Sequence, residues 1–177
     1  ERNEFYTDRK GNLFLRYAHT DEFIPGKGPY ILYGISHEIG HTCLLAVFPD
    51  TNKAWYTEAT NEAWAHFYGC MLTSMLYETR SDSLWPNPYN YGNDGMPRIM
   101  EQIKDEEDDF MIRCRAWIEL NEIIGFENYP DFFHRLKELK LTNKNSSDVF
   151  PKVISEFGSD EQSKIWTDKF GKRLLTN

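Results

Sequence analysis

Most of the chain shows the spacing of apolar and polar residues that is typical of helices. Pro29 suits the first turn of a helix, and apolar or aromatic residues then recur three or four positions apart until Pro49 ends the run. A second helix is predicted from Thr57, a suitable N-cap, to about Tyr77. A short connection joins these two helices, so their faces are expected to meet.

The C-terminal half continues the helical periodicity. Glycine closes two of the predicted helices there, because glycine adopts the backbone conformation that often follows a helix. The predicted helices cover residues 105–124 up to Gly125, residues 130–140, residues 147–157 up to Gly158, and a segment after Asp160.

Two segments depart from the helical pattern. Residues 13–17 form a short strand-like stretch and are followed by a turn at 25–28. Residues 81–98 contain three prolines and two glycines, which predict a long loop of the kind that often carries function. The fold is therefore predicted to be α+β and mainly helical, with a small N-terminal β element and a C-terminal helical subdomain.

The charge of the chain restricts its partners. Lys and Arg total 20 and Asp and Glu total 28, which gives a net charge of −8. Binding of nucleic acid or adhesion to an anionic membrane needs a basic surface, so neither is expected. The sequence also has no run of about 18 apolar residues that would predict a membrane span.

The cysteines indicate neither a disulfide framework nor a cysteine zinc site. Cys43, Cys70 and Cys114 form an odd set, and no C-x-x-C spacing occurs. Each lies among apolar residues, so each is predicted to be a small buried side chain. The chain begins with Glu1 and carries no visible signal peptide, which indicates a processed form or a piece of a longer protein.

The strongest chemical signal is the H-E-x-x-H pattern in the first helix. His37 and His41 are four residues apart, so a helix projects both imidazoles from one face, about 5–6 Å apart at Cβ. Both can then reach one Zn²⁺ at about 2.0–2.1 Å. Glu38 follows the first histidine and can reach a zinc-bound water as a general base. Two histidines packed without a metal are the alternative, but their burial in an apolar helix is costly without a partner.

A third ligand is expected, because catalytic zinc usually keeps three protein ligands and one open position. Glu62 lies 21 residues after His41 on the next predicted helix. Glu58, 17 residues after His41, is the rival ligand. Glu58 falls in the first helical turn, where an acidic residue is favoured regardless of function, so Glu62 is preferred.

The ligand pattern resembles a known protein family. H-E-x-x-H followed about twenty residues later by Asn61-Glu62 is similar to the gluzincin metallopeptidases, which include thermolysin, over roughly residues 30–77. The H-E-I-G-H form with Glu58 nearby is also similar to the enhancin-like metallopeptidases, which act on mucins and glycoproteins. The gluzincin resemblance implies that one Zn²⁺ is bound by His37, His41 and Glu62. It also implies that Glu38 is the catalytic base.

One position departs from the thermolysin-type pattern. That pattern has Asp four residues after the ligand glutamate, where it orients a ligand histidine, whereas this chain has His66. A neutral imidazole could accept the same hydrogen bond, though more weakly than a carboxylate. His66 is therefore either a hydrogen-bond partner of a ligand histidine or an ordinary packed side chain.

The resemblance also implies a Tyr or His that stabilises the oxyanion of the tetrahedral intermediate. Tyr89 and Tyr91, both in the predicted loop 81–98, are the leading candidates. Tyr77 and His134 are weaker candidates. Each of the four also has a structural explanation in a chain with ten tyrosines.

With the resemblance, the sequence predicts a zinc metallopeptidase that hydrolyses peptide bonds through a zinc-bound water activated by Glu38. Residues 1–98 would form the zincin-like catalytic part and residues 99–177 the helical subdomain. An endopeptidase is favoured, because the G-x-M-E-N element of related exopeptidases is absent. Substrates would be peptides or proteins, including glycoproteins, and the location would be secreted, cell-surface or periplasmic.

Two alternatives stay open. The first is a catalytically silent zinc-binding recognition module of the same fold, although an intact Glu38 favours catalysis. The second is a purely structural zinc site, which needs a fourth protein ligand from His66 or Cys43. Cys43 lies two residues after His41 and points to a different side of the helix.

Overall fold

A computed structural model describes residues 4–7, 13–16, 28–48, 55–78 and 109–175. Helices dominate this part of the chain. The helices of seven or more residues are α1 Gly28–Val47, α2 Glu58–Glu78, α3 Asp109–Ile124, α4 Tyr129–Glu138, α5 Ser146–Phe157 and α6 Asp160–Trp166. Shorter helical turns are Phe126–Asn128 before α4, and Thr167–Gly171 and Lys172–Leu174 after α6.

The helix predictions are confirmed where the structure describes the chain. The Thr60 N–H donates a hydrogen bond to the Thr57 hydroxyl oxygen at 3.2 Å, so Thr57 caps α2 as predicted. Gly125 follows α3 with a φ of 76°, a left-handed conformation that glycine adopts without a steric penalty. The helix α3 is described from Asp109, so its predicted start at residue 105 lies outside the described residues.

The predicted α+β class, with its small N-terminal β element, is wrong. About 85% of the residues in the body of the molecule are helical, and the described residues from 28 onward contain no strand. Within the described residues, the strands β1 (Glu4–Thr7) and β2 (Leu13–Arg16) pair only with each other, antiparallel, with Phe5 opposite Leu15. This ribbon of two four-residue strands contacts α1 but is too small to form a sheet layer, so the fold is helical.

One aromatic core holds the helices together. The Trp64 ring of α2 lies 5.0 Å from the Trp117 ring of α3 and 4.9 Å from the Phe133 ring of α4, measured between centroids. The buried cluster extends from Leu44 in α1 to Leu175 near the end of the chain. Described residues on both sides of the predicted boundary at 98 therefore share one core, and the division into two parts stays a prediction.

Candidate metal centre

The helix α1 presents two histidines on one face. His37 and His41 lie one helical turn apart, and their Nε2 atoms are 3.2 Å from each other. His41 is buried, whereas His37 is half-buried. Both Nε2 atoms therefore face one point beside the helix, as the H-E-x-x-H spacing predicts.

The helix α2 runs antiparallel to α1 and approaches it closely because of glycine. A Cβ atom added to Gly40 would lie 2.9 Å from the Ala65 Cα. At Gly69 it would lie 3.1 Å from the His37 backbone nitrogen, so the two helix backbones nearly touch. The Trp64 indole N–H donates a hydrogen bond to the Gly40 carbonyl oxygen at 2.9 Å, which fixes the register of the pair.

Glu62 completes a triangle of three possible ligand atoms. Its Oε2 lies 3.4 Å from His37 Nε2, and its Oε1 lies 3.3 Å from His41 Nε2. Ligands about 2.0–2.1 Å from a tetrahedral zinc lie about 3.3–3.4 Å from one another. The three separations therefore match one face of a zinc tetrahedron. The Glu62 side chain is 48% exposed, so solvent has access to this triangle.

Glu38 supplies a second carboxylate beside the same histidines. The residue is only 6% exposed, and a carboxylate oxygen lies within 4.8 Å of a ring nitrogen of each histidine. His37, Glu38 and His41 could therefore hold a metal by themselves. Glu62 is the better third ligand, because its contacts of 3.3 and 3.4 Å match zinc geometry. The role of Glu38 as a base stays a prediction.

Charge and hydrogen bonding hold the candidate ligands together. Hydrogen bonds from His37 and His41 keep the pKa of Glu62 well below its usual range. Burial, the largest effect, lowers the pKa of His41, but interactions with Glu62, Asn61 and Glu38 together raise it above the ordinary value. An ionised carboxylate between two histidines is an electrostatic pattern that favours a bound cation.

Asn61 offers His41 the partner that a metal-binding histidine needs. His41 Nδ1 and Asn61 Oδ1 are both buried, and neither has a hydrogen bond of normal geometry within the described part of the chain. The Asn61 side chain still lies near enough to raise the pKa of His41. A His41 that binds metal through Nε2 carries its proton on Nδ1, from where it can donate to Asn61 Oδ1. The donor set therefore fits a metal.

His66 lies beside the histidine pair and contacts Tyr33. Its Nδ1 atom is hydrogen-bonded to the Tyr33 hydroxyl, and its ring centroid lies 6.5 Å from that of His37. Burial lowers the pKa of His66 to about 4, so the imidazole is neutral at pH 7. Among the described residues, the group that could hold a metal consists of His37, Glu38 and His41, and it includes neither His66 nor Cys43, the two residues named for a structural fourth ligand.

The other predicted residues lie away from this cluster or outside the described residues. Glu58 is exposed in the first turn of α2. The ion pairs with the histidines are formed by Glu62, one turn later. His134 is exposed on α4 and pairs with a neighbouring glutamate at 3.3 Å. Tyr89 and Tyr91 lie outside the described residues together with their predicted loop, and of Tyr77 only the helical backbone is described.

Comparison with known proteins provides no relative for this chain. No protein-family model, curated protein or solved structure matches it. The gluzincin resemblance therefore rests on the spacing of the motif residues and on their geometry. None of the described helices combines the length and the apolar character that crossing a membrane requires.

Sequence reasoning missed the contributions of Tyr33, Gly40 and Trp64. The H-E-I-G-H pattern does signal Gly40, since a glycine inside a helix often has a packing reason. Tyr33 lies four residues before His37 on the same helix face, and this spacing could have linked the two. Nothing in the local pattern distinguishes Trp64 from the other core aromatics.

Proposed function

We propose that this protein is a gluzincin-type zinc metallopeptidase that hydrolyses peptide bonds in proteins or peptides. One observation chiefly supports this function. The Nε2 atoms of His37 and His41 and the carboxylate of Glu62 are separated by 3.2, 3.3 and 3.4 Å. Two imidazoles and one carboxylate are a ligand set of catalytic zinc sites, which keep a position for water or substrate.

The proposed chemistry is divided among a bound zinc ion, Glu38 and a tyrosine. A zinc ion held by the three ligands would act as a Lewis acid toward the scissile carbonyl and the attacking water. Glu38 would accept the proton of that water and deliver it to the leaving amine. Its buried position beside the two histidines supports this role. Tyr89 or Tyr91 would stabilise the tetrahedral oxyanion.

The substrate and the location belong to the same proposal. The enzyme would cleave internal bonds of peptides or proteins, including glycoproteins, outside the cytoplasm or at the cell surface. The net charge of −8 favours encounters with basic segments of such substrates.

Metal content and hydrolysis are measured together to test this function. Purified protein is analysed by elemental mass spectrometry and incubated with unfolded casein, with and without a chelator. We expect one zinc per chain and cleavage that the chelator stops. Glu38→Gln should retain zinc and lose cleavage, because a carboxamide cannot accept the proton. Glu58→Gln is the matched control, since Glu58 is an exposed glutamate of the neighbouring helix, and it should keep both properties.

Three results would contradict parts of this assignment. Retained cleavage in Glu38→Gln would remove the assigned base. Zinc binding without any cleavage by the wild-type protein would favour the catalytically silent recognition module. Absence of zinc after reconstitution would overturn the enzyme and the module together.

A further inference from the structure

Tyr33 lies behind the metal-facing side of His37. It precedes His37 by one turn of α1, and its hydroxyl oxygen lies 3.5 Å from His37 Nδ1. The same hydroxyl is hydrogen-bonded to Nδ1 of His66 on α2. One phenol oxygen thus lies between the Nδ1 atoms of two histidines from different helices.

The direction of the hydrogen bonds follows from the ligand geometry. His37 Nε2 faces His41 at 3.2 Å and Glu62 at 3.4 Å, so Nε2 is the metal side and Nδ1 the outer side. A histidine that binds metal through Nε2 carries its proton on Nδ1. His37 Nδ1–H then donates to the Tyr33 oxygen, and the Tyr33 hydroxyl donates to His66 Nδ1.

We propose that Tyr33 and His66 are positioning residues that fix the ring orientation and the proton position of His37 for metal binding. Their role rests on the metal site of the proposed function and is independent of peptide hydrolysis. Metal-binding histidines usually donate their second N–H to a carboxylate, a backbone carbonyl or a water. Here a tyrosine hydroxyl backed by a neutral histidine takes that place.

Packing keeps both partners in the geometry that the hydrogen bonds need. The Tyr33 and His66 rings meet edge to face, with centroids 5.6 Å apart. Phe110 of α3 also packs against His66, at 5.9 Å between centroids. The His66 ring is thus in contact with side chains from two other helices, which restricts the rotation of its acceptor nitrogen away from Tyr33.

Zinc affinity is the first test of this role. Competition with a chromophoric chelator gives the dissociation constant of wild type and of Tyr33→Phe, which removes only the hydroxyl. We expect zinc to bind about 10–100-fold more weakly in Tyr33→Phe, the range typical for losing a partner of a ligand residue. Tyr68→Phe is the matched control, because the half-buried Tyr68 hydroxyl bonds Cys43 and no ligand histidine, and its affinity should not change.

Variants of His66 separate hydrogen bonding from packing. His66→Ala removes the acceptor and should weaken zinc as much as Tyr33→Phe does. His66→Asn keeps an acceptor oxygen near the position of Nδ1 and should restore most of the affinity. The double variant Tyr33→Phe/His66→Ala should be no weaker than either single variant, since both changes break one chain of hydrogen bonds. Thermal unfolding verifies that every variant is folded.

The proton itself gives a second readout. In the zinc-loaded protein, His37 Nδ1–H should give a slowly exchanging NMR signal, and Tyr33→Phe should accelerate that exchange. Equal affinity and equal exchange in wild type and Tyr33→Phe would overturn the role of Tyr33 and leave the proposed function intact. If the variants lost zinc affinity as expected but the wild-type protein did not cleave casein, the positioning role would be supported and the proposed hydrolysis contradicted. A wild-type protein that takes up no zinc would overturn both.

Discussion

Two glutamates take different places beside the histidines. Glu62 reaches across from α2, and its two oxygens contact the two Nε2 atoms at 3.4 and 3.3 Å. Glu38 belongs to the same helix as the histidines and is only 6% exposed. At the residue scale, the proposed ligand Glu62 therefore comes from the facing helix, whereas the proposed base Glu38 comes from the helix that carries the histidines.

Replacing Glu62 should affect zinc far more than replacing its neighbour Glu58. Glu62→Ala removes one of three proposed ligands. The loss of zinc affinity should therefore exceed the factor of about 10–100 that is typical when a hydrogen-bond partner of a ligand is removed. Glu58→Ala removes an exposed carboxylate one turn away and should leave the zinc dissociation constant unchanged. Chelator competition measures both variants, and a larger loss in Glu58→Ala would transfer the ligand role to that residue.

Zinc affinity should fall as the pH falls. The raised pKa of His41 means that its imidazole keeps a proton to a higher pH than a free histidine, and that proton must leave before zinc can bind. The depressed pKa of Glu62 keeps its carboxylate ionised over the same range. Below the pKa of His41, each pH unit should weaken zinc about tenfold per displaced proton. Competition assays at a series of pH values measure this slope, and a flat profile would show that no proton is displaced.

At the scale of elements, the pair of α1 and α2 is the proposed functional unit. The two helices carry all three proposed ligands, and their separation is set by glycines and not by bulky side chains. The helix α3 supports the pair from outside, where the Arg113 guanidinium donates a hydrogen bond to the Thr60 hydroxyl at 2.7 Å. A site built on packed helices holds its ligand geometry better than one built on loops.

Gly40→Ala should push these two helices apart. The added Cβ would lie 2.9 Å from the Ala65 Cα, a backbone atom that cannot rotate away. Overpacking of this kind costs about 1–3 kcal/mol, partly offset by about 1 kcal/mol from the higher helix propensity of alanine. We expect weaker zinc binding and a modest loss of unfolding free energy in urea. Ala46→Ser, on an exposed position of α1, is the control, and unchanged zinc affinity in Gly40→Ala would exclude the spacing role.

At the scale of the whole molecule, the C-terminal helices complete the core behind the metal centre. Trp117 of α3 is fully buried, and its ring lies 5.0 Å from Trp64 and 6.4 Å from Phe150 of α5. Trp64 in turn holds the Gly40 carbonyl through its indole N–H. The C-terminal helices are thus linked to the histidine helix α1 through Trp117, Trp64 and the hydrogen bond from Trp64 to Gly40.

Trp117→Ala should weaken zinc as well as the fold. Loss of a buried tryptophan costs about 3–5 kcal/mol, and it removes the support of the Trp64 ring. Chemical denaturation with and without zinc measures both effects in one experiment. Ile165→Ala is the control, because Ile165 is 59% exposed and its loss should change neither quantity. If zinc raised the free energy of unfolding of Trp117→Ala as much as that of wild type, the buried core would have no influence on zinc binding.

The sequence allows the helices and the two histidines to be predicted because their signals are local. Pro49, Gly125 and Gly158 each follow a helix, where proline or glycine interrupts the apolar periodicity. The positions of His37 and His41 relative to each other depend only on the geometry of one helix.

The fold class and the environment of the ligands could not be predicted, because they depend on distant contacts. The strand-like stretch at residues 13–17 does not reveal how many strands will pair, and the predicted α+β class with a small N-terminal β element proved wrong. The contact of Tyr33 with His66 joins residues of two helices and depends on the register that Trp64 and Gly40 set. No local pattern encodes that register.

The contact between Gly40 and Ala65 also bears on which ion the site can accept. Because the helix backbones nearly touch there, the Glu62 carboxylate lies within 3.4 Å of both histidine Nε2 atoms, which gives a donor set of two nitrogens and one carboxylate. Calcium takes six to eight oxygen ligands, whereas imidazole nitrogens suit zinc and other transition metals. The glycine inside the motif thus helps to define the donor set, which favours cations that accept nitrogen donors over calcium.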